Sequence, residues 1–407
     1  MTKSRVGTGL ILQLAIANLG IGFAWNVHTA YIPPLLKGLT SSIFLVSLVV
    51  STASICGVVV QPLAGVWSDR VRHRLGRRMP FLLYGAPIAA ASLVGLGLAP
   101  AFAAAAIAAF LFYFFTNLYT APYMALLADL VPTEQRGTVS GVVSAVGAVA
   151  GLAAFLVGPL YDRSHAVPFL IGGAVIVLSA LYTALAVREP APPARPAPAS
   201  RKQSVGSYLR EFGRHREVIR FFLVESVWWL GFGALAPFFT LYASQELGIP
   251  VGLATLALAA FMVAAIIFAV IMGVLADRLG RKVTMSAALA VLFLGICGGY
   301  FARTFWQLVA VMGFAGIGWG ATLTIPPAIV ADILPPGREG EFFGLNNIFV
   351  SIPQTIALVV LGRLIPVFGT YRITIVVAAL AMLGALLAFQ TVSPVRAKAT
   401  LSQASRQ

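Results

Sequence analysis

Charge is scarce in this sequence. Only 10% of its 407 residues are Asp, Glu, Lys or Arg, against about 25% in a soluble domain. A soluble core would not absorb the 59% that are hydrophobic, so a water-soluble globule is excluded. Cysteine is nearly absent. Cys56 and Cys297 both lie in apolar runs, which suits packing residues rather than a disulfide. There are four histidines, no HExxH and no Gly-x-Gly-Asp pair, so neither a metal centre nor an intramembrane enzyme is expected. No ATP-binding motif is present either, which leaves a solute gradient, an ion gradient or none as the driving force. No cofactor is expected.

What is present is apolar sequence in lengths that suit a bilayer, where a spanning helix needs about 20 residues. Twelve spans are read, at 9–32, 42–66, 79–98, 102–127, 138–160, 166–187, 219–243, 251–275, 283–301, 305–331, 341–365 and 371–391. Lys3 and Arg5 precede the first as in a signal peptide. That run continues past His28 without a small-residue cleavage site, so it is read as a span. The predicted fold is an all-α membrane protein of twelve transmembrane helices in two pseudo-symmetric six-helix bundles. The bundles are placed at 1–187 and 219–407. Between them, 188–218 is read as a linker. Its prolines at 190, 192, 193, 196 and 198 favour extended polyproline. Residues 205–220, basic with Tyr208, Leu209 and Phe212 interleaved, read as an interfacial helix on anionic headgroups.

The net charge is +15. On a soluble chain that would suggest nucleic acid; here its distribution decides. With the termini and even-numbered connections on one side, 23 of the 28 cations fall on that side. The asymmetry places both termini in the cytoplasm of a multi-pass protein of the cytoplasmic (inner) membrane, with lipid rather than nucleic acid as its surroundings.

The loop at 65–81, GVWSDRVRHRLGRRMPF, carries Gly65, Asp69, Arg70, Gly76, Arg77 and Arg78. Five guanidiniums cannot enter hydrocarbon, so it lies in water. A second copy, GVLADRLGRK, carries Gly273, Asp277, Arg278, Gly280 and Arg281. Asp69 and Asp277 are 208 residues apart, Asp129 and Asp332 203, and Pro33 and Pro237 204. So constant a spacing marks a duplicated chain, an architecture for alternating access.

These loops resemble the signature of the major facilitator superfamily, and the resemblance covers the whole chain. A closer resemblance is to the sucrose-transporter branch and related glycoside–cation symporters. It rests on Gln61-Pro62-Leu63, Ser68-Asp69-Arg70, Gly76-Arg77-Arg78-Met79-Pro80-Phe81, Asn117, Pro122, the ALLADL run at 125–130 with Asp129, Gly344-Leu345-Asn346 and Ile352-Pro353-Gln354. The resemblance implies transport of a sugar, a di- or oligosaccharide such as sucrose or maltose, with proton symport open. Proton-coupled efflux of drugs or metabolites is the alternative, and a non-transporting nutrient sensor a further one. In the family the cavity is lined mainly by spans 1, 4, 7 and 10. The branch carries a carboxylate in span 4, where this chain has Tyr113. It also has aspartates near the outer end of span 7, where Ala243 and Gln245 stand. One chain supplies both halves, so a monomer is expected to function.

A charge retained in hydrocarbon invites a reason, at about 2.5–3.5 kcal/mol each. Glu225, in RFFLVESVWW, is read either as a carboxyl that binds a proton or sugar hydroxyl, or as the partner of Arg220. His28 is read as a sugar donor or titrating group, or as a packed histidine. Sugar recognition needs aromatic faces for the ring and amides for its hydroxyls. The candidates are Asn26, Tyr31, Asn117, Tyr119, Tyr123, Trp228, Trp229, Trp319, Thr322, Asn346, Asn347 and Gln354. Adjacent Trp228 and Trp229 point about 100° apart on a helix, so one of the two is expected to face a cavity. Asp69 and Asp277, with Asp129 and Asp332 in the matching positions, are read as gating residues that cap helix N-termini among arginines. The glycines and prolines of spans 1, 7 and 10 mark them as candidate bending gates.

Overall fold

The structure, a computed structural model, describes residues 6–132, 135–189, 216–333 and 339–392, with the side chains of 331–345 outside the description. Most of the linker and residues 205–215 of the expected interfacial helix fall outside it, as do Lys3, Arg5 and the side chain of Asp332, while 216–220 form the start of a spanning helix instead. Twelve helical spans follow one another. They are α1 (Thr8–Leu39), α2 (Ile43–Arg70), α3 (Phe81–Gly97), α4 (Phe102–Leu130), α5 (Arg136–Arg163) and α6 (Val167–Ala186), then α7 (Arg216–Glu246), α8 (Val251–Leu279), α9 (Arg281–Phe301), α10 (Phe305–Ile333), α11 (Glu339–Phe368) and α12 (Arg372–Phe389). Eleven are long and apolar enough to cross a membrane; α3 is shorter. No strand occurs among the described residues.

Prolines explain the irregular helices. Pro87 has no N–H to give Leu83, and α3 opens with a wide π-turn at Phe81–Gly85 just before it. Pro159 follows the break in α5 at Val157, beyond which the short segment Gly158–Arg163 continues. Pro237 sits in a 3₁₀ turn, Ala236–Phe238, that interrupts α7. By contrast α1 runs through Pro33 and Pro34, and α10 through Pro326 and Pro327, without a break. α1 thereby extends beyond the expected end of span 1.

The main contacts in one half have counterparts in the other. In the first half α1 packs on α5 and α6, α4 on α2 and α3, and α3 on α6. In the second α7 packs on α11 and α12, α10 on α8 and α9, and α9 on α12. Small residues set the close crossings. A Cβ on Gly22 would meet the backbone of Gly147 on α5, and one on Gly233 would come 2.6 Å from the Cα of Gln354 on α11. Gly20 seats Ile176 of α6 as Gly231 seats Met382 of α12. Gly316 and Gly320 face α8, while Gly318 faces α9. These glycines of α1, α7 and α10 thus sit at helix crossings.

The halves meet where α2 packs on α11 and α5 on α8. The hydrogen bonds and ring contacts that join them among the described residues all lie at the end opposite the Asp69 loop. There Gly252 N donates to Asp162 Oδ1 at 3.0 Å, Thr255 Oγ1 donates to the Phe155 carbonyl at 3.0 Å, and Arg363 lies over the Phe44 ring at 3.7 Å.

Candidate functional site

The most informative group forms where α7 meets α10 and α11. Gly233 lets α11 approach, and Ser226 Oγ donates to the Phe349 carbonyl at 2.8 Å to fix the register. This packing leaves Glu225 only 4% exposed. One turn on, Trp229 Nε1 donates to Glu225 Oε1 at 3.3 Å. Asn346 of α11 interacts with the same carboxyl. Glu225 Oε2 and Asn346 Oδ1 are buried without a hydrogen bond. Trp319 of α10 meets the Trp229 ring edge-on at 5.5 Å and stacks on Phe232 at 4.7 Å. Arg220 does not pair with Glu225; it pairs with Glu217 at 2.8 Å and caps the Thr391 carbonyl at 3.2 Å. A buried acceptor pair beside two indoles thus stands without a cation. Chemically it can take hydroxyl donors or a proton, while the indoles offer apolar faces.

The neighbouring Trp228 is fully buried and packs on Phe221 at 6.0 Å, so Trp229 is the one that faces this group. Thr322 donates to the Trp319 carbonyl, and Asn347 accepts from Ser351 at 3.3 Å. Gln354 sits half-buried at the Gly233 crossing.

The candidates of the first half join a different network. His28 Nδ1 and the Tyr113 hydroxyl lie 2.8 Å apart in a hydrogen bond, and the rings meet edge-on at 5.1 Å. Tyr113, in place of the branch's carboxylate, is therefore bonded to His28. Asn117 donates to the Tyr113 carbonyl and accepts from Gln61 Nε2 at 2.7 Å, tying α4 to α2. Tyr31 donates to the Ala154 carbonyl on α5 and Tyr123 to the Leu14 carbonyl on α1. These two tie helices together. Tyr119 is buried against Gly85 of α3 with its hydroxyl unpartnered. Asn26 donates to Gly22 of its own helix at 2.8 Å.

The charged loop is built inside the first half. Arg78, 4% exposed, donates to Asp69 Oδ1 at 2.6 Å, to Asp129 Oδ2 at 3.2 Å and to Ser68 Oγ. Arg77 donates to Asp129 at 2.7 Å. These five side chains fasten α2 to the start of α3 and the end of α4. Gly65 and Gly273 have open space around them, Gly76 and Gly280 have the positive φ that glycine tolerates, at 106° and 92°, and Arg70 is exposed. The second copy is arranged differently. Asp277 and Arg278 are exposed, and Asp277 makes no ion pair among the described residues. Arg281 donates to the Ala328 carbonyl at 2.6 Å, while Lys282 caps the α12 end at Gln390 and Val392, both at 2.7 Å. So the Asp69 carboxylate is held by arginines and not by helix N–H groups, and Asp277 is not engaged.

Three acids escaped the sequence reading. Glu189 accepts from the Arg78 amide at 2.8 Å and so caps α3. Asp162 caps α8 across the halves. Glu246 accepts from the amides that start α12 and pairs with Arg372 at 3.2 Å. All three lie at helix ends, the places where an acid meets free N–H groups; that position was the available signal. Among the described residues no three His, Cys, Asp or Glu come together as a metal site.

A family model described as MFS/sugar transport protein matches residues 14–399. The general alpha-glucoside permease of Schizosaccharomyces pombe is 26% identical over 227 residues, which cover 50% of this chain and 40% of that protein. A sucrose transport protein of Arabidopsis thaliana, SUC3, is 27% identical over 183 residues, 40% of this chain and 31% of that protein. The matched stretches thus span less than half the length of these curated relatives. Among solved structures, a bacterial homologue of the human lysosomal transporter Spinster superposes with a TM-score of 0.76 at 16% identity, covering 96% of this chain and 97% of that one.

Proposed function

The chain belongs to the MFS/sugar transport protein family, and we propose that it is a secondary transporter that carries a sugar across the membrane by alternating access. The solute we propose is a di- or oligosaccharide, the class to which the names of the matched permease and sucrose transporter point. The observation that carries this is the Glu225, Trp229, Trp319 and Asn346 group. Two buried acceptors lack donors, and a sugar hydroxyl supplies them. Two indoles face the same place, and the C–H face of a sugar ring packs on indole. A uniformly apolar efflux substrate would leave both acceptors unsatisfied.

Glu225 is our candidate for proton coupling. No cation pairs with it among the described residues, and a lone carboxylate in hydrocarbon is costly, so it is the group placed to take up a proton when no sugar hydroxyl donates to it. The span 4 position that the branch uses is filled by Tyr113 bonded to His28. By the distribution of cations, we place the Asp69 loop and both termini in the cytoplasm. The halves, 1–187 and 219–407, are then closed at the outer end in this structure.

The test is uptake of labelled sucrose, maltose and trehalose by proteoliposomes. Asn346→Ala is expected to raise KM about tenfold, the effect of one buried hydrogen bond of roughly 1.4 kcal/mol. Asn347→Ala, whose amide serves Ser351, is expected to leave KM unchanged. Equal KM values for both variants and the unaltered protein would remove this site.

A further inference from the structure

A second concave site lies at the end where the halves are closed. It is a cleft of about 470 Å³ between the outer ends of α1, α5, α7 and the start of α8. Small-molecule pockets run from about 300 to 1,000 Å³. Its polar lining comes from Lys37, Tyr161, His165, Ser244 and Gln245. Tyr161 is only 3% exposed, and its hydroxyl makes no hydrogen bond among the described residues. The rings of His165, Tyr161 and Tyr31 form a ladder inward from the cleft, with centroids 4.7 and 5.3 Å apart.

The charged groups Lys37 and Asp162 each hold a backbone partner. Lys37 Nζ donates to the Ser41 carbonyl at 2.7 Å, and Asp162 holds the Gly252 amide. Also free are neutral groups: the Tyr161 hydroxyl, the His165 ring, the exposed Gln245 amide and the oxygen of Ser244, whose proton goes to the Leu241 carbonyl. Aromatic surface beside these donors and acceptors, with two N–H donors left on the Lys37 ammonium, suits a polyhydroxylated ring.

We propose that this cleft is a second, weaker sugar site, separate from the Glu225 group, that exists only while the outer ends are together. The proposal rests on the sugar reading given above. Lys37 belongs to one half, and Ser244 and Gln245 to the other. A ligand that bridges them stabilises the closed outer end by mass action. Sugar outside then slows the return to the outward-open state, and uptake declines at high sugar concentration.

The experiment is equilibrium binding of labelled maltose and sucrose to the purified full chain, paired with initial uptake rates across sugar concentration. The unaltered protein is expected to show two classes of site, about tenfold or more apart in Kd, a separation of roughly 1.4 kcal/mol. His165→Ala with Gln245→Ala is expected to abolish the weaker class, leave the tighter within twofold, and remove the decline in uptake at high sugar. One class of site in the unaltered protein, or two classes that survive the double variant, overturns the cleft while leaving the Glu225 site standing. No binding of either sugar overturns the sugar reading and the cleft with it.

Discussion

Arg78 holds three acceptors at once from a buried position, whereas its counterpart in the second half, Lys282, caps a helix end. Removing Arg78 leaves Asp69 and Asp129 facing each other with one guanidinium fewer. Arg78→Ala is therefore expected to lower stability by about 1–3 kcal/mol, read as a lower midpoint in detergent thermal unfolding. Asp277→Asn removes an exposed, unpaired charge and is expected to shift that midpoint hardly at all. Equal shifts would contradict the asymmetry between the two loops. At this scale the sequence was legible wherever charge stood out against hydrocarbon, as with Glu225 and the arginine loop. It was not legible where partners come from other helices. Nothing in RFFLVESVWW says that Asn346 meets Glu225 or that Arg220 caps the Thr391 carbonyl. Those choices depend on how α11 and α12 pack on α7.

The glycines matter through what packs on them. Gly233→Ala would press a methyl onto the Gln354 backbone of α11, and overpacking of this kind costs about 1–3 kcal/mol. Gly273 has nothing within 4 Å, so Gly273→Ala is expected to be neutral or to stabilise by up to about 1 kcal/mol through helix propensity. Thermal unfolding of the two variants checks both signs. The span count, the repeat and the proline positions were readable because the bilayer imposes length and the duplication imposes spacing. The consequences of individual prolines were not. Pro237 breaks α7 while the matching Pro33 leaves α1 intact, a difference that local sequence does not encode.

The whole molecule is two bundles pinned at one end, with small residues at both pins. Gly158 meets Gly252 and Thr255 where α5 crosses α8; Gly362 meets Ser47 where α11 crosses α2. A Cβ on Gly362 would lie 2.7 Å from that of Ser47, close enough for a disulfide once the helices ease apart to the usual separation of about 3.5–4.5 Å. In a protein freed of Cys56 and Cys297, Ser47→Cys with Gly362→Cys is expected to cross-link under mild oxidation. Transport should stop, and a reductant should restore it. A cross-linked protein that transports at the unaltered rate would contradict movement of the halves about this end. Which end is closed was not legible, because both states share one sequence.

The measurement that tests the account most directly is uptake of labelled sucrose, maltose and trehalose into proteoliposomes, with and without an inward proton gradient, for the unaltered protein and Glu225→Gln. The account predicts uptake of at least one sugar, stimulated by the gradient, with the stimulation lost in the variant. Uptake indifferent to the gradient would leave a facilitator and remove Glu225 from coupling. No uptake of any sugar under either condition would contradict the central claim.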